Sequence, residues 1–124
     1  MVSMLPFLLV AAGGAIGSVA RYGAWRLAGA AAWPWSTFVV NVSGGLLMGL
    51  LTGWLLARGG PEELRLFLGV GILGGFTTFS AYSLDLVAMV ERGDWGGAAL
   101  YGLASMLVAA LALAVGLWLG RQLV

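Results

Sequence analysis

The sequence predicts an all-α membrane protein, a single four-helix transmembrane domain over residues 1–124, and three observations predict it. Only 9% of the residues are charged, against about 25% in a soluble domain. Hydrophobic residues make up 61%, with a mean hydropathy of +1.02. Cutting the chain at its charges leaves four apolar stretches, each long enough for the roughly 20 residues that cross about 30 Å of hydrocarbon. The missing residue types exclude chemistry as well. Without Cys or His, thiol redox work, imidazole catalysis and His or Cys metal sites fall away, and no enzyme activity is expected. Six Arg and no Lys, without a basic run, exclude the electrostatic footprint of a nucleic-acid binder.

The first stretch runs from Met1 to Ala20 and lacks the basic opening of an export signal, so it is expected to be a helix. The second runs from Leu27 to Ala57, with Trp33-Pro34-Trp35 marking its entry as an interfacial aromatic anchor. Arg58-Gly59-Gly60-Pro61-Glu62-Glu63 reads as a turn and a helix start, leading into the third stretch, Leu66 to Leu84. The fourth follows Arg92-Gly93-Asp94 and runs from Trp95 to Gly120. Only the third is compromised inside: Gly74-Gly75 followed by Thr77-Thr78 makes a poor place for a continuous helix, so a break is expected there. Carbonyls freed by such a break need a cation, water or a neighbouring group, which makes an oxygen-lined cation site one outcome and back-bonded packing the other.

Small residues four apart (Gly13 and Gly17; Gly14 and Ser18; Gly45, Gly49 and Gly53; Gly116 and Gly120) allow close helix approach in lipid, and oligomerisation is expected. Positive charge usually fixes orientation. Here Arg58, Arg65 and Arg121 fall on the side of the N-terminus and Arg21, Arg26 and Arg92 on the other, so neither face is preferred. Either the chain inserts both ways up and two oppositely oriented copies form a two-fold dimer, or the terminal amine or helix hydrophobicity fixes one topology.

Polar residues mark a track through this apolar frame. Thr37 and Asn41 stand four apart on the second helix, as do Tyr101 and Ser105 on the fourth. Asn41 either ties two helices together by a hydrogen bond or offers amide protons to an anion. Phe79 and Tyr82 give an aromatic edge beside the hydroxyl edge of Ser80 and Ser83. Ring edges carry partial positive charge and can face a small anion without trapping it. Two ionisable groups come within reach of the membrane interior. Arg21, at the end of the first helix, either snorkels or draws anions to a vestibule, and Asp85 is either a hydroxyl acceptor or a proton-coupling carboxylate.

These residues resemble the small fluoride channels called Fluc or CrcB. Gly13-Gly14-Ala15-Ile16-Gly17-Ser18-Val19-Ala20-Arg21-Tyr22 is similar to the family's first-helix motif, Thr37 to Asn41 with Gly45 and Gly49 to its second, and Gly74-Gly75-Phe76-Thr77-Thr78-Phe79-Ser80 to its third-helix signature. The resemblance implies a dual-topology, antiparallel homodimer in the cell inner membrane, with two fluoride pathways and one structural sodium ion at the dimer interface. The sodium would be held by the carbonyls of Gly74 and Thr77 from each subunit. It further implies Phe79 and Asn41 as partners in an aromatic box, with Tyr82 where the family usually has a second Phe. Thr37, Tyr101 and Ser105 would form the polar track, Asp85 an acidic position near one end of the pathway, and Arg21 the vestibule arginine. The rival reading is a small proton-coupled multidrug exporter, which needs a membrane carboxylate that the first helix lacks.

Overall fold

A computed structural model describes residues 2–123; Met1, included in the first expected stretch, lies outside them. Four hydrophobic spans are present, all helical, and the third is divided near its middle. α1 covers Leu5–Ala28 and α2 Trp35–Arg58. The third span holds α3 (62–76) and α4 (Phe79–Glu91), and α5 covers Trp95–Gln122. A 24-residue helix is about 36 Å long, enough to cross the hydrocarbon.

The boundaries correct the sequence reading in two places. α1 continues through Arg21 to Ala28, because the Arg21 guanidinium lies over the Trp25 ring, 5.4 Å from its centroid, and need not end the helix. Arg21 therefore stands about 10 Å inside the helix end. α2 begins at Trp35, at the entry that Trp33-Pro34-Trp35 marks, since Pro34 pushes the residue before it out of helical conformation. Gly59, at φ 71°, ends α2 in the left-handed region. The third span reaches from Glu62 to Glu91, with Arg65 stabilising its start through a hydrogen bond from Nε to Glu62, 3.0 Å long.

Within α3, residues Arg65–Leu73 are wound with i→i+5 hydrogen bonds, a looser coil that the sequence does not announce. The break follows at Thr77 and Thr78, both extended, with ψ 155° and 119°. Thr78 then starts α4, its Oγ1 accepting the Ala81 N–H at 3.1 Å. Asp94 caps α5 in the same way, accepting from the Gly97 N–H at 2.9 Å.

Packing is governed by backbone contact. The glycine spacing expected to let helix backbones approach closely does so inside the chain, except at Gly14, where a Cβ would meet nothing within 4 Å. Gly13 and Gly17 of α1 lie against the Phe67 and Ile72 carbonyls of α3. Gly49 of α2 lies against the Leu113 carbonyl of α5, and Gly116 and Gly120 return the contact on Leu46 and Leu50. α1 thus pairs with α3, α2 pairs with α5, and α4 completes the layer beside α5. Apolar side chains buried within the chain are few: Val40, Leu73, Met89, Ala98 and Tyr101 among the described residues. Trp33, Phe38, Tyr82, Leu86 and Val90 are partly buried against Met89, Ala98 and Tyr101, and many of the other large apolar side chains face outward, as expected where lipid is the solvent.

Candidate functional site

The helix break is held by one side chain. Asn41, about 9 Å below the start of α2, uses its amide as a peptide group would. Its Nδ2 donates to the Thr78 carbonyl at 3.0 Å and its Oδ1 accepts the Thr78 N–H at 2.8 Å. Both backbone groups of Thr78 are thereby satisfied at a depth where each unpaired one costs several kcal/mol. One Nδ2 proton of Asn41 is left over for a further acceptor. On the other side of the break, Leu73 O accepts both the Thr77 N–H at 3.0 Å and the Thr77 hydroxyl at 2.9 Å. Among the described residues, the Gly74 and Thr77 carbonyls receive no hydrogen bond across the break.

Beside the break lies a cleft of about 380 Å³, lined by Asn41, Thr77, Thr78, Phe79, Tyr82 and Ser105. Met106 and Ala109 of α5 close its wall. Ser105 is 5% exposed, and its hydroxyl is without a hydrogen-bond partner. An unpaired buried hydroxyl is uncommon because desolvation goes uncompensated, so it marks a place where a guest can be received. Phe79 is 79% exposed in the single chain, with its ring 5.6 Å from that of Tyr82. The Tyr82 hydroxyl turns away from the cleft and donates to the Gly102 carbonyl at 2.8 Å, leaving the ring to line the cleft.

One level beyond, Tyr82 meets the fully buried Tyr101, with ring centroids 5.4 Å apart. The Tyr101 hydroxyl donates to Asp85 Oδ2 at 2.9 Å, and the buried Thr37 lies beside it. Thr37, Tyr101 and Asp85 therefore form a second polar group, next to the cleft but not lining it. The hydroxyl edge is not brought to the cleft. Ser83 Oγ donates back to the Phe79 carbonyl at 3.0 Å, and Ser80 Oγ sits 3.3 Å from Thr78 Oγ1 on an exposed face. Arg21 is half-buried on α1 against Trp25, apart from the cleft lining.

Sequence reading missed Thr78 as a site residue. Its position immediately before the second helical half, three residues ahead of the amide it caps, is the signal that finds it. Nor does the sequence show that Trp33, in the loop between α1 and α2, also packs edge-on to Tyr101 at 5.1 Å and 83°.

A family model described as "CrcB-like protein, Camphor Resistance (CrcB)" matches residues 8–117, which include all of these polar positions. The chain belongs to the CrcB family. Its relatives in that family match at nearly full length. A Novosphingobium aromaticivorans protein named "Fluoride-specific ion channel FluC" is 54% identical over 117 residues, covering 90% of this chain and 93% of that one. Proteins of the same name from Caulobacter sp. (strain K31) and Phenylobacterium zucineum are 51% and 54% identical, with at least 96% of each chain covered. CrcB membership and four apolar helices make this a multi-pass membrane protein.

Proposed function

We infer that this CrcB protein is a fluoride channel, exporting the anion passively down its electrochemical gradient across the plasma membrane. Its relatives' names support that reading, and the structural observation that carries it is the cleft beside the break. There Asn41, the unpaired Ser105 hydroxyl and the Phe79 and Tyr82 rings stand at membrane depth with no Lys or Arg among the lining residues. A small anion exchanges water for amide, hydroxyl and ring-edge donors, each too weak to hold it for long. From the cleft the track continues to Thr37, Tyr101 and Asp85. The exporter reading finds no support: α1 carries no acid, and the Asp85 carboxylate is already engaged by Tyr101. In liposomes loaded with potassium fluoride, the purified protein should release fluoride rapidly once a potassium ionophore is added, without a proton gradient. Chloride release should be slower by orders of magnitude. Equal chloride flux, or strict proton dependence, refutes the function.

The functional unit is a two-fold, antiparallel homodimer. Phe79, Ser80 and Gly74 are exposed in the single chain on either side of the break, the face a second copy would cover. An inverted copy brings two breaks together and presents the Gly74 and Thr77 carbonyls of both. Four oxygens with no carboxylate suit a hard, singly charged cation, and those carbonyls would hold the structural sodium ion. Dual topology has a direct check, since the chain has no native cysteine. Single-cysteine variants Glu63→Cys and Glu91→Cys, at opposite ends of the third span, should both label in part with an impermeant reagent on intact cells. Labelling of only one variant excludes mixed insertion.

A further inference from the structure

Past Asp85, the track ends at the loop joining α1 to α2. A polar nook of about 80 Å³ opens there, lined by Asp85 and Met89 of α4, by Arg92 just past its end, and by Ala32 and Pro34 of the loop. Arg92 Nη2 donates to the Ala32 carbonyl at 3.2 Å, leaving the rest of the guanidinium's donors facing the nook and solvent. Arg92, one residue past the end of α4 and seven after Asp85, lines the same nook as the carboxylate without forming an ion pair with it. Asp85 Oδ2 is occupied by the Tyr101 hydroxyl, which reduces its charge density but not its charge. The other acids nearby do not compete for Arg92. Asp94 caps α5 through the Gly97 N–H, and Glu91 points about 100° around the helix from Arg92.

A bare carboxylate at this point would repel an approaching anion. We propose that Arg92 is the counter-charge at this mouth: it offsets Asp85 and receives a small, partly hydrated anion in the nook before the anion meets Tyr101 and Thr37. The volume suits that guest, with room for about two water-sized bodies, whereas a large organic anion does not fit. Arg92 works from the rim, half in solvent, so it concentrates the anion without holding it at depth. This proposal rests on the fluoride-channel reading.

The test uses the reconstituted full chain. Arg92→Gln should lower fluoride efflux about fivefold at about 10 mM ionic strength and less than twofold at about 1 M, where charges beyond about 3 Å are screened. Arg92→Lys should keep at least half of the parent flux at low salt. Arg92→Cys, modified in detergent before reconstitution, gives an independent readout. A cationic methanethiosulfonate should raise its flux and an anionic one should lower it further. Equal flux from parent and Arg92→Gln, a loss unchanged by salt, or cysteine adducts indifferent to charge sign would overturn the proposal and leave Arg92 as a loop tether. Each of those results requires a conducting parent, so absence of fluoride flux in the unsubstituted protein is the separate failure of the channel reading.

Discussion

Asn41→Asp is expected to abolish fluoride flux, with a loss of at least about 100-fold in the liposome assay. Two physical effects add. The carboxylate can still accept the Thr78 N–H, but it cannot donate to the Thr78 carbonyl and repels it, so the bond at 3.0 Å is lost. Leaving that carbonyl unpaired costs about 1–3 kcal/mol, and more at membrane depth. The second effect is a fixed negative charge on the wall of the cleft, which at an effective dielectric of about 20 and 4 Å opposes an anion by about 4 kcal/mol. Asn41→Ala separates the two effects. It removes the clamp without adding charge, and should lower thermal stability in detergent while retaining more flux than the aspartate. Near-parental flux in Asn41→Asp would remove the cleft from the pathway.

Gly49→Val should have the largest effect on assembly of the chain itself. A Cβ at Gly49 would collide with the Leu113 carbonyl and stand 2.8 Å from the Leu117 nitrogen, both of them backbone atoms that cannot rotate aside. Overpacking of this kind costs about 1–3 kcal/mol even where side chains can adjust, and here α2 and α5 must separate along their length. The variant should elute as aggregate in size-exclusion chromatography in mild detergent and yield no flux. Gly96→Ala is the control, because a Cβ there meets nothing within 4 Å and the variant should behave as the parent does. A monodisperse, active Gly49→Val would mean that the α2–α5 seam is looser than described.

The number of spans and the position of the break were legible because charge spacing and the Gly74-Gly75-Phe76-Thr77-Thr78 run act locally. Local signals also account for the caps on Thr78 and Asp94. What could not be read was partnership. Asn41 and Thr78 lie 37 residues apart, and nothing in either neighbourhood states that a side-chain amide will stand in for a missing backbone partner. The glycine spacing was visible, but a stripe of small residues says that some backbone comes close and not whose. Arg21 looked like a helix end because a charge is costly in lipid, whereas stacking on Trp25 lets α1 continue past it. The anchor reading of Trp33 rests on where indoles collect, and it says nothing of the ring's contact with Tyr101, which the loop sets.

The scarcity of buried apolar side chains has a thermodynamic consequence. When helices already inserted in a bilayer drift apart, the faces they uncover meet acyl chains and not water, so little hydration changes and the heat capacity of separation should be close to zero. The stability curve then loses the dome typical of water-soluble domains, and cooling does not loosen the bundle. Adhesion between the helices becomes a matter of contact enthalpy measured against the surrounding fatty chains, so the thickness and order of the host membrane set the melting point as much as the residues do.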